Sequence, residues 1–254
     1  MAAPRLKAFF IFATTLLLFL GSFTAFSQKA DETIQFTYSG ATGPDQWGNL
    51  NPNFSMCVNG KAQSPINILT AKVRYPGNSG ALIVDNKMYT LKQMHWHAPS
   101  EHRIDGQQFA AELHLVHIAD DGSVSVVAIL FKYGQPDPLL AKIQSKLNEL
   151  AYEVKSHEET PINLGPFHPT EVRKRCHKYY RYVGSFTTPP CTQNVIWNIL
   201  AKVRTISRGQ VQALQAPLDM RCKKNARSCQ PMNDRHVELY DEDIIAQGGH
   251  FPKD

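Results

Sequence analysis

At 254 residues the chain suits one sizeable domain and can bury a substantial core. The net charge of +5 is mildly basic, and Lys and Arg are scattered apart from Arg173-Lys174-Arg175 and the segment Arg221 to Arg227. Both clusters read as solvated loops, and with no nucleic-acid-binding motif beside them a nucleic-acid partner is excluded.

Residues 1–27 read as a secretory signal peptide. Arg5 and Lys7 form a basic n-region, Ala8 to Leu20 an apolar h-region and Ala25-Phe26-Ser27 a cleavage site. The apolar run to Phe26 is nearly long enough to span a bilayer, which leaves an uncleaved anchor open. No other stretch approaches that length, so the mature chain, residues 28–254, is expected to leave the membrane after cleavage. Cleavage removes two basic and no acidic residues, leaving +3. A secretory route is oxidising, so the five cysteines can pair, with at least one left over. Asn53-Phe54-Ser55 is the one glycosylation acceptor sequence and agrees with that route.

Ile34 to Trp47 reads as an irregular arm anchored by Trp47, and Gln63 to Ile68 as a short edge strand whose Pro65 is tolerable only near its start. Lys72 to Gly80 is rich in turn residues, Leu82 to Val84 is a brief strand, and Asp85-Asn86-Lys87 a turn. Strands follow over Met88 to Ala98 and Phe109 to Ala119. Asp121-Gly122 signals a hairpin turn, and the nearly continuous apolar run Val124 to Tyr133 suits a strand buried on both faces. Pro138 opens a helix in which Leu139, Leu140, Ile143, Leu147, Leu150, Ala151 and Val154 form one apolar stripe. Further strands are expected over Tyr179 to Val183, Asn194 to Val203 and Val237 to Tyr240. Ser207 caps a short helix through Leu214, and about 241–254 forms a poorly ordered tail. The whole is a single mainly β domain of the α+β kind, with a few surface helices.

The chemistry concentrates in Gln93-Met94-His95-Trp96-His97 and Glu112-Leu113-His114-Leu115-Val116-His117. Side chains two apart on a strand share a face, so His95 and His97 project together while Met94 and Trp96 turn to the core. Glu112, His114 and Val116 share one face of the second strand, and Leu113, Leu115 and His117 the other. If the strands are neighbours, His114 joins His95 and His97. Three neutral imidazoles with one open position form a catalytic rather than a structural Zn2+ site. Gln93 and Glu112 lie on the ligand faces, where imidazole ligands give away their second N–H. His102 and His117 read as structural.

Gln-Met-His-Trp-His-Ala-Pro-Ser-Glu-His from Gln93, Ala-Ala-Glu-Leu-His-Leu-Val-His from Ala110, and Gly184-Ser185-Phe186-Thr187-Thr188-Pro189-Pro190-Cys191 together resemble the α-class carbonic anhydrases of plants, over about Tyr38 to Tyr240. The resemblance implies a central twisted, mostly antiparallel sheet. It also implies an enzyme, a zinc carbonate dehydratase (lyase), that hydrates carbon dioxide reversibly to bicarbonate through attack by zinc-bound hydroxide. By the same resemblance Thr187 accepts the hydroxide's hydrogen bond and donates its own to Glu101, and Thr188 positions bicarbonate. Val116, Val126, Phe186 and Trp197 make the apolar wall for CO2, with Phe186 where the family more often has Leu. Cys57 and Cys191 stand where secreted members carry a disulfide. Pairing of Cys222 with Cys229 stays open, and Cys176 is left over. The expected destination is extracellular or apoplastic, with the plastid by the secretory route also open. Nothing in the sequence decides the oligomeric state.

One departure is large. The family carries a long segment before the Gln-x-His-x-His strand, including a His that passes the product proton to solvent. Residues 63–93 are too few to hold it, and no His precedes His95. The missing length is about two ordinary strands with connections. Slowed turnover is therefore expected. A catalytically weak zinc-binding or storage-type protein on the same scaffold, and a zinc hydrolase of small esters, remain as alternatives.

Overall fold

The structure, a computed structural model, describes residues 35–72, 87–156 and 178–241. The expected signal peptide, the Leu82 to Val84 strand, Cys176, the Arg173 to Arg175 cluster and the polar tail beyond Asp241 lie outside those residues. The N-terminal arm holds two one-turn helices, α1 (Trp47–Leu50) and α2 (Met56–Asn59), where an irregular chain is expected. Trp47 is its anchor: fully buried, with Phe36 and Tyr38 edge-on to its ring and its indole N–H donated to the Thr37 and Thr42 carbonyls.

The main sheet is built from β2 (Tyr89–His97), β5 (Ala111–Ala119), β6 (Val124–Tyr133), β7 (Lys178–Ser185), β8 (Gln193–Leu200) and β10 (Glu238–Asp241). Their order is β10-β7-β8-β6-β5-β2, and β9 (Arg204–Ile206) joins beyond β8 as a second partner of β6. Four pairings are antiparallel, while β6 runs parallel to β8 and β9. The expected Gln63 to Ile68 strand shrinks to β1 (Asn67–Ile68). It pairs with β3 (Arg103–Ile104) in a separate small sheet completed by β4 (Gln107–Gln108). Pro65 has no N–H to donate, and the Ser64 N–H goes instead to Ser185 Oγ at 2.9 Å, so the start of that stretch has no ladder to join. The expected Asn194 to Val203 strand ends at Leu200, and β9 forms separately.

Helices α3 (Pro138–Ser156) and α4 (Arg208–Gln215) pack on one sheet face. Leu139, Leu140, Ile143, Leu147 and Ala151 of the α3 stripe are buried there, with Leu150 only half-buried. Ser207 caps α4 through a reciprocal pair with Gln210, each side chain answering the other's backbone N–H. Met94, Trp96, Leu113 and Leu115 enter this helix-side core, so the histidines of β2 and β5 must face the opposite way. That alternation breaks once. The β2–β5 register shifts between Leu91 and Gln93, leaving Lys92 as an extra residue. Strict alternation would put Leu91 on the face of Gln93 and His95; the bulge turns it into the helix-side core instead.

Cys57 and Cys191 are joined by a disulfide that closes a loop of 134 residues between the arm and the β7–β8 loop. Cys222 and Cys229 are free thiols. Among the described residues no helix is long and apolar enough to cross a membrane. A cross-link spanning that much chain constrains the unfolded state strongly. Reducing it is expected to lower the unfolding free energy by about 2–5 kcal/mol, read from urea midpoints with and without reductant.

Candidate active site

The antiparallel pairing of β2 with β5 sets His95 opposite His114 and His97 opposite Glu112. His95 Nε2 lies 3.2 Å from His114 Nδ1, and the three ring centroids of His95, His97 and His114 are 4.7–5.1 Å apart. Two nitrogens bound tetrahedrally to one zinc at about 2.0–2.1 Å each would stand about 3.3–3.4 Å apart. The observed spacing is close to that.

Proton placement on two rings follows from their partners. A carbonyl can only accept, so His97 Nδ1 carries the proton given to the Asn225 carbonyl. His97 Nε2 is then the lone-pair nitrogen; it is buried and has no hydrogen-bond partner. His114 Nε2 donates to Glu112 Oε1 at 2.8 Å, which leaves the lone pair on Nδ1, facing His95. A buried nitrogen lone pair with nothing to accept, beside two further imidazoles, is the donor set that zinc takes. The residues present fit the metal. A second group, His102, Glu112 and His114, is also close enough to ligate, but its Nδ1–H and Nε2–H donors are already spent on the carboxylate.

Glu112 is fully buried, and four N–H groups converge on it. His102 Nδ1 and His114 Nε2 donate to Oε1 at 2.6 and 2.8 Å, and the backbone N–H groups of Glu101 and His102 to Oε2 at 2.9 and 2.8 Å. Burial alone would raise its pKa, but His102, His114 and these bonds outweigh it and hold the carboxyl well below the usual range. The network runs on: His102 Nε2 meets the Tyr182 hydroxyl at 2.7 Å, and that hydroxyl meets Ser64 Oγ at 2.7 Å. His102 is therefore a buried bridging group rather than a ligand of the triad. His117 sits on the other parity of β5, opposite Leu91.

Glu101 lies beside the triad, its Oε2 3.5 Å from His97 Nε2. Burial pushes its carboxyl up to about 7, against the downward pull of nearby His114, the Arg227 backbone N–H and the Thr187 hydroxyl. Thr187 is buried in the β7–β8 loop, which the Phe186 N–H to Thr192 carbonyl bond (2.9 Å) and the Cys191 N–H to Thr188 carbonyl bond (2.8 Å) close. Gln93, His95, His114, Val116, Val126, Phe186, Thr187, Thr188 and Trp197 all line one small cavity. Its volume, counted as the space open to the centre of a water molecule, is about 20 Å3. The Trp197 ring packs 4.8 Å from His114 and gives its N–H to the Ser185 carbonyl.

Sequence reading missed two residues. Asn225 and Arg227 fall in a stretch expected to be solvated, yet Asn225 holds His97 and Arg227 is 3% exposed, with its N–H on Glu101 Oε1 at 3.0 Å. Basic composition suggested solvent there. The acceptors that bury Arg227 lie more than 160 residues away, so no local signal marked it.

The chain belongs to the carbonic anhydrases. The profile of the eukaryotic-type carbonic anhydrase family matches residues 76–241. Alpha carbonic anhydrase 7 of Arabidopsis thaliana is 34% identical over 261 residues, covering 91% of this chain and 94% of the relative. Dioscorin DB3S of Dioscorea polystachya is 34% identical, covering 91% and 96%. Among solved structures, dioscorin complexed with ascorbate superimposes with a TM-score of 0.74 at 32% identity, covering 82% of this chain and 98% of that one. The α-carbonic anhydrase of Thermovibrio ammonificans, complexed with the inhibitor sulfanilamide, gives 0.69 at 31%, covering 81% and 99%.

Burial depresses the pKa of His95, His97 and His114, with repulsion from neighbouring imidazoles (His102 in the case of His97) adding to it, while Glu101 shifts the other way. Below the unfolded imidazole pKa of about 6.5 the unfolded chain takes up three protons that the metal-free fold resists. Over the same range Glu101, raised to about 7, holds one proton that the unfolded chain has released. The balance favours unfolding as pH falls. Metal-free protein is expected to lose stability from pH 6.5 toward 5, by at most about 3 kcal/mol per pH unit, in urea titrations across that range.

Proposed function

We propose that the chain catalyses the reversible hydration of carbon dioxide to bicarbonate and a proton, with zinc held by His95, His97 and His114. The observation that carries this is the convergence of three imidazoles, His97 and His114 buried and His95 half-buried, beside buried Glu101 and Thr187, at a small cavity whose wall includes Val116, Val126, Phe186 and Trp197. Zinc held there supplies Lewis acidity, which makes water nucleophilic near neutral pH.

The protein's own groups then have distinct tasks. Ionised Glu101 can only accept, so the Thr187 proton points to it and the Thr187 oxygen is left to accept from the oxygen that attacks the substrate. That holds the nucleophile's lone pair toward the substrate. The Arg227 N–H and the Thr187 hydroxyl both favour the ionised form of Glu101. Val116, Val126, Phe186 and Trp197 offer no charge or hydrogen bond to the substrate, which suits CO2, and Thr188, which lines the same cavity, meets the bicarbonate product. Glu112 holds His114, and Gln93 lines the cavity beside His95. A cavity of about 20 Å3 admits little more than one water.

The proton has a harder exit. Among the described residues, the cavity lining holds no ionisable side chain other than the histidines. The Arabidopsis match supports the absence of a segment here: it runs over 261 residues, whereas 91% of 254 is about 231, some 30 fewer. Residues 1–27 are read as a secretory signal, a reading supported by the disulfide and by exposed Asn53 as a glycosylation acceptor.

Mature protein refolded with zinc should hold one zinc per chain by elemental analysis. His114→Ala should weaken retention by at least about 100-fold, since loss of a ligand's outer partner alone costs 10–100-fold. Metal-free wild type after refolding would overturn the zinc reading.

Stopped-flow hydration should be slow in weak buffer and rise to a plateau with added imidazole, while isotope exchange between CO2 and bicarbonate at equilibrium needs no added buffer. Fast turnover in weak buffer would mean that another group carries the proton. Zinc-loaded protein with neither exchange nor imidazole rescue would leave a zinc-binding protein on this scaffold.

A further inference from the structure

Asn225 to Arg227 form neither helix nor strand, yet two groups of the site hang on their backbone. The Asn225 carbonyl takes the His97 Nδ1 proton, and the Arg227 N–H holds Glu101 Oε1. Irregular backbone orients other groups only when it is itself held. At one end the Asn225 side chain does this, giving Nδ2–H to the Trp96 carbonyl at 3.0 Å and accepting the Ala98 N–H at 2.8 Å.

At the other end the holding is done by one guanidinium. Arg227 Nη1 donates to Gln63 Oε1 at 2.9 Å and to the Ser64 carbonyl at 2.8 Å, and Nη2 donates to the Cys57 carbonyl at 2.7 Å. Its carbon lies 5.7 Å from the Trp47 ring centre. Every one of these acceptors belongs to the N-terminal arm, and none is a carboxylate. The arm in turn grips the loop of Thr187: Gln63 Nε2 donates to the Cys191 carbonyl at 3.1 Å, and Cys57 is bonded to Cys191. Taking a cation out of water costs several kcal/mol, and an apolar side chain of similar size would fill the space without that cost. What an apolar residue lacks is a planar fork that reaches three acceptors at once.

We infer that Arg227 is a positioning residue: its guanidinium locks the Asn225–Arg227 strap to the arm, and through the strap and the arm it sets His97, Glu101 and the Thr187 loop in mutual register. The part concerning His97 rests on the zinc reading above; the locking of the strap does not.

The test compares full-length mature wild type with Arg227→Met, Arg227→Lys and Leu140→Ala, the last destabilising the helix-side core away from the site. Two readouts are taken: amide hydrogen exchange over 222–229 in metal-free protein, and the rate of zinc loss to a chelator. Arg227→Met should speed both by about tenfold or more. Arg227→Lys, which keeps charge without the fork, should fall near it. Leu140→Ala should lose thermal stability but change neither ratio beyond about twofold. The inference is overturned if Arg227→Met matches wild type or Leu140→Ala in both readouts. Should Arg227→Met fail to fold, Arg227→Lys carries the same comparison, and a fast-exchanging Arg227 amide in wild type overturns the inference without any variant. If wild type holds no zinc, the zinc reading falls, and strap exchange still decides the role of Arg227.

Discussion

The buried carboxylate of Glu112 is the constraint on which the site depends. An ion removed from water costs several kcal/mol unless hydrogen bonds replace its solvent, and here four N–H groups do so. Meeting that demand fixes more than the carboxylate. Two donors are backbone groups of the turn at Glu101 and His102, so the turn that carries Glu101 is pinned. A third is the His114 ring, whose free nitrogen is thereby aimed at His95. The fourth, His102, extends the chain to Tyr182 and Ser64, joining β7 and the arm to the same network. Imidazole, turn and arm are oriented by a single satisfied charge.

The sheet supplies the frame for this network. Its pleat sends Met94, Trp96, Leu113 and Leu115 to the helix side and His95, His97 and His114 to the other, so the apolar packing of α3 and α4 is also what aims the imidazoles. A slip of one residue would bury the histidines among leucines. The bulge at Lys92 confines the histidine parity to the second half of β2, where the cavity is, and lets Leu91 serve the core in the first half.

The rest of the pocket comes from irregular chain: the Thr187 loop, the Asn225–Arg227 strap and the arm around Trp47. Such segments have no ladder of their own, and here each is held by the others. The disulfide ties arm to loop, Arg227 ties strap to arm, and Gln63 spans both with its amide, accepting from Arg227 and donating to Cys191. Cooperation of this kind concentrates order where the chemistry needs it, with the apolar wall of Val116, Val126 and Trp197 provided by regular strands behind.

The amino-acid sequence by itself determined the strands that carry the histidines, the α3 and α4 helices, the Ser207 cap and the parity of His95, His97 and His114, because period, propensity and capping act over a few neighbouring residues. It also carried, through the resemblance of its motifs, the Cys57–Cys191 bond. Only the tertiary structure decided that Leu91 leaves the histidine face, that Gln63 to Pro65 lies outside any ladder, and that Arg227 in a basic, solvent-like stretch is buried. A bulge is set by pairing between strands, and burial of a cation by acceptors more than 160 residues away in the chain. Neither leaves a trace in local composition, since both are satisfied only when distant segments meet.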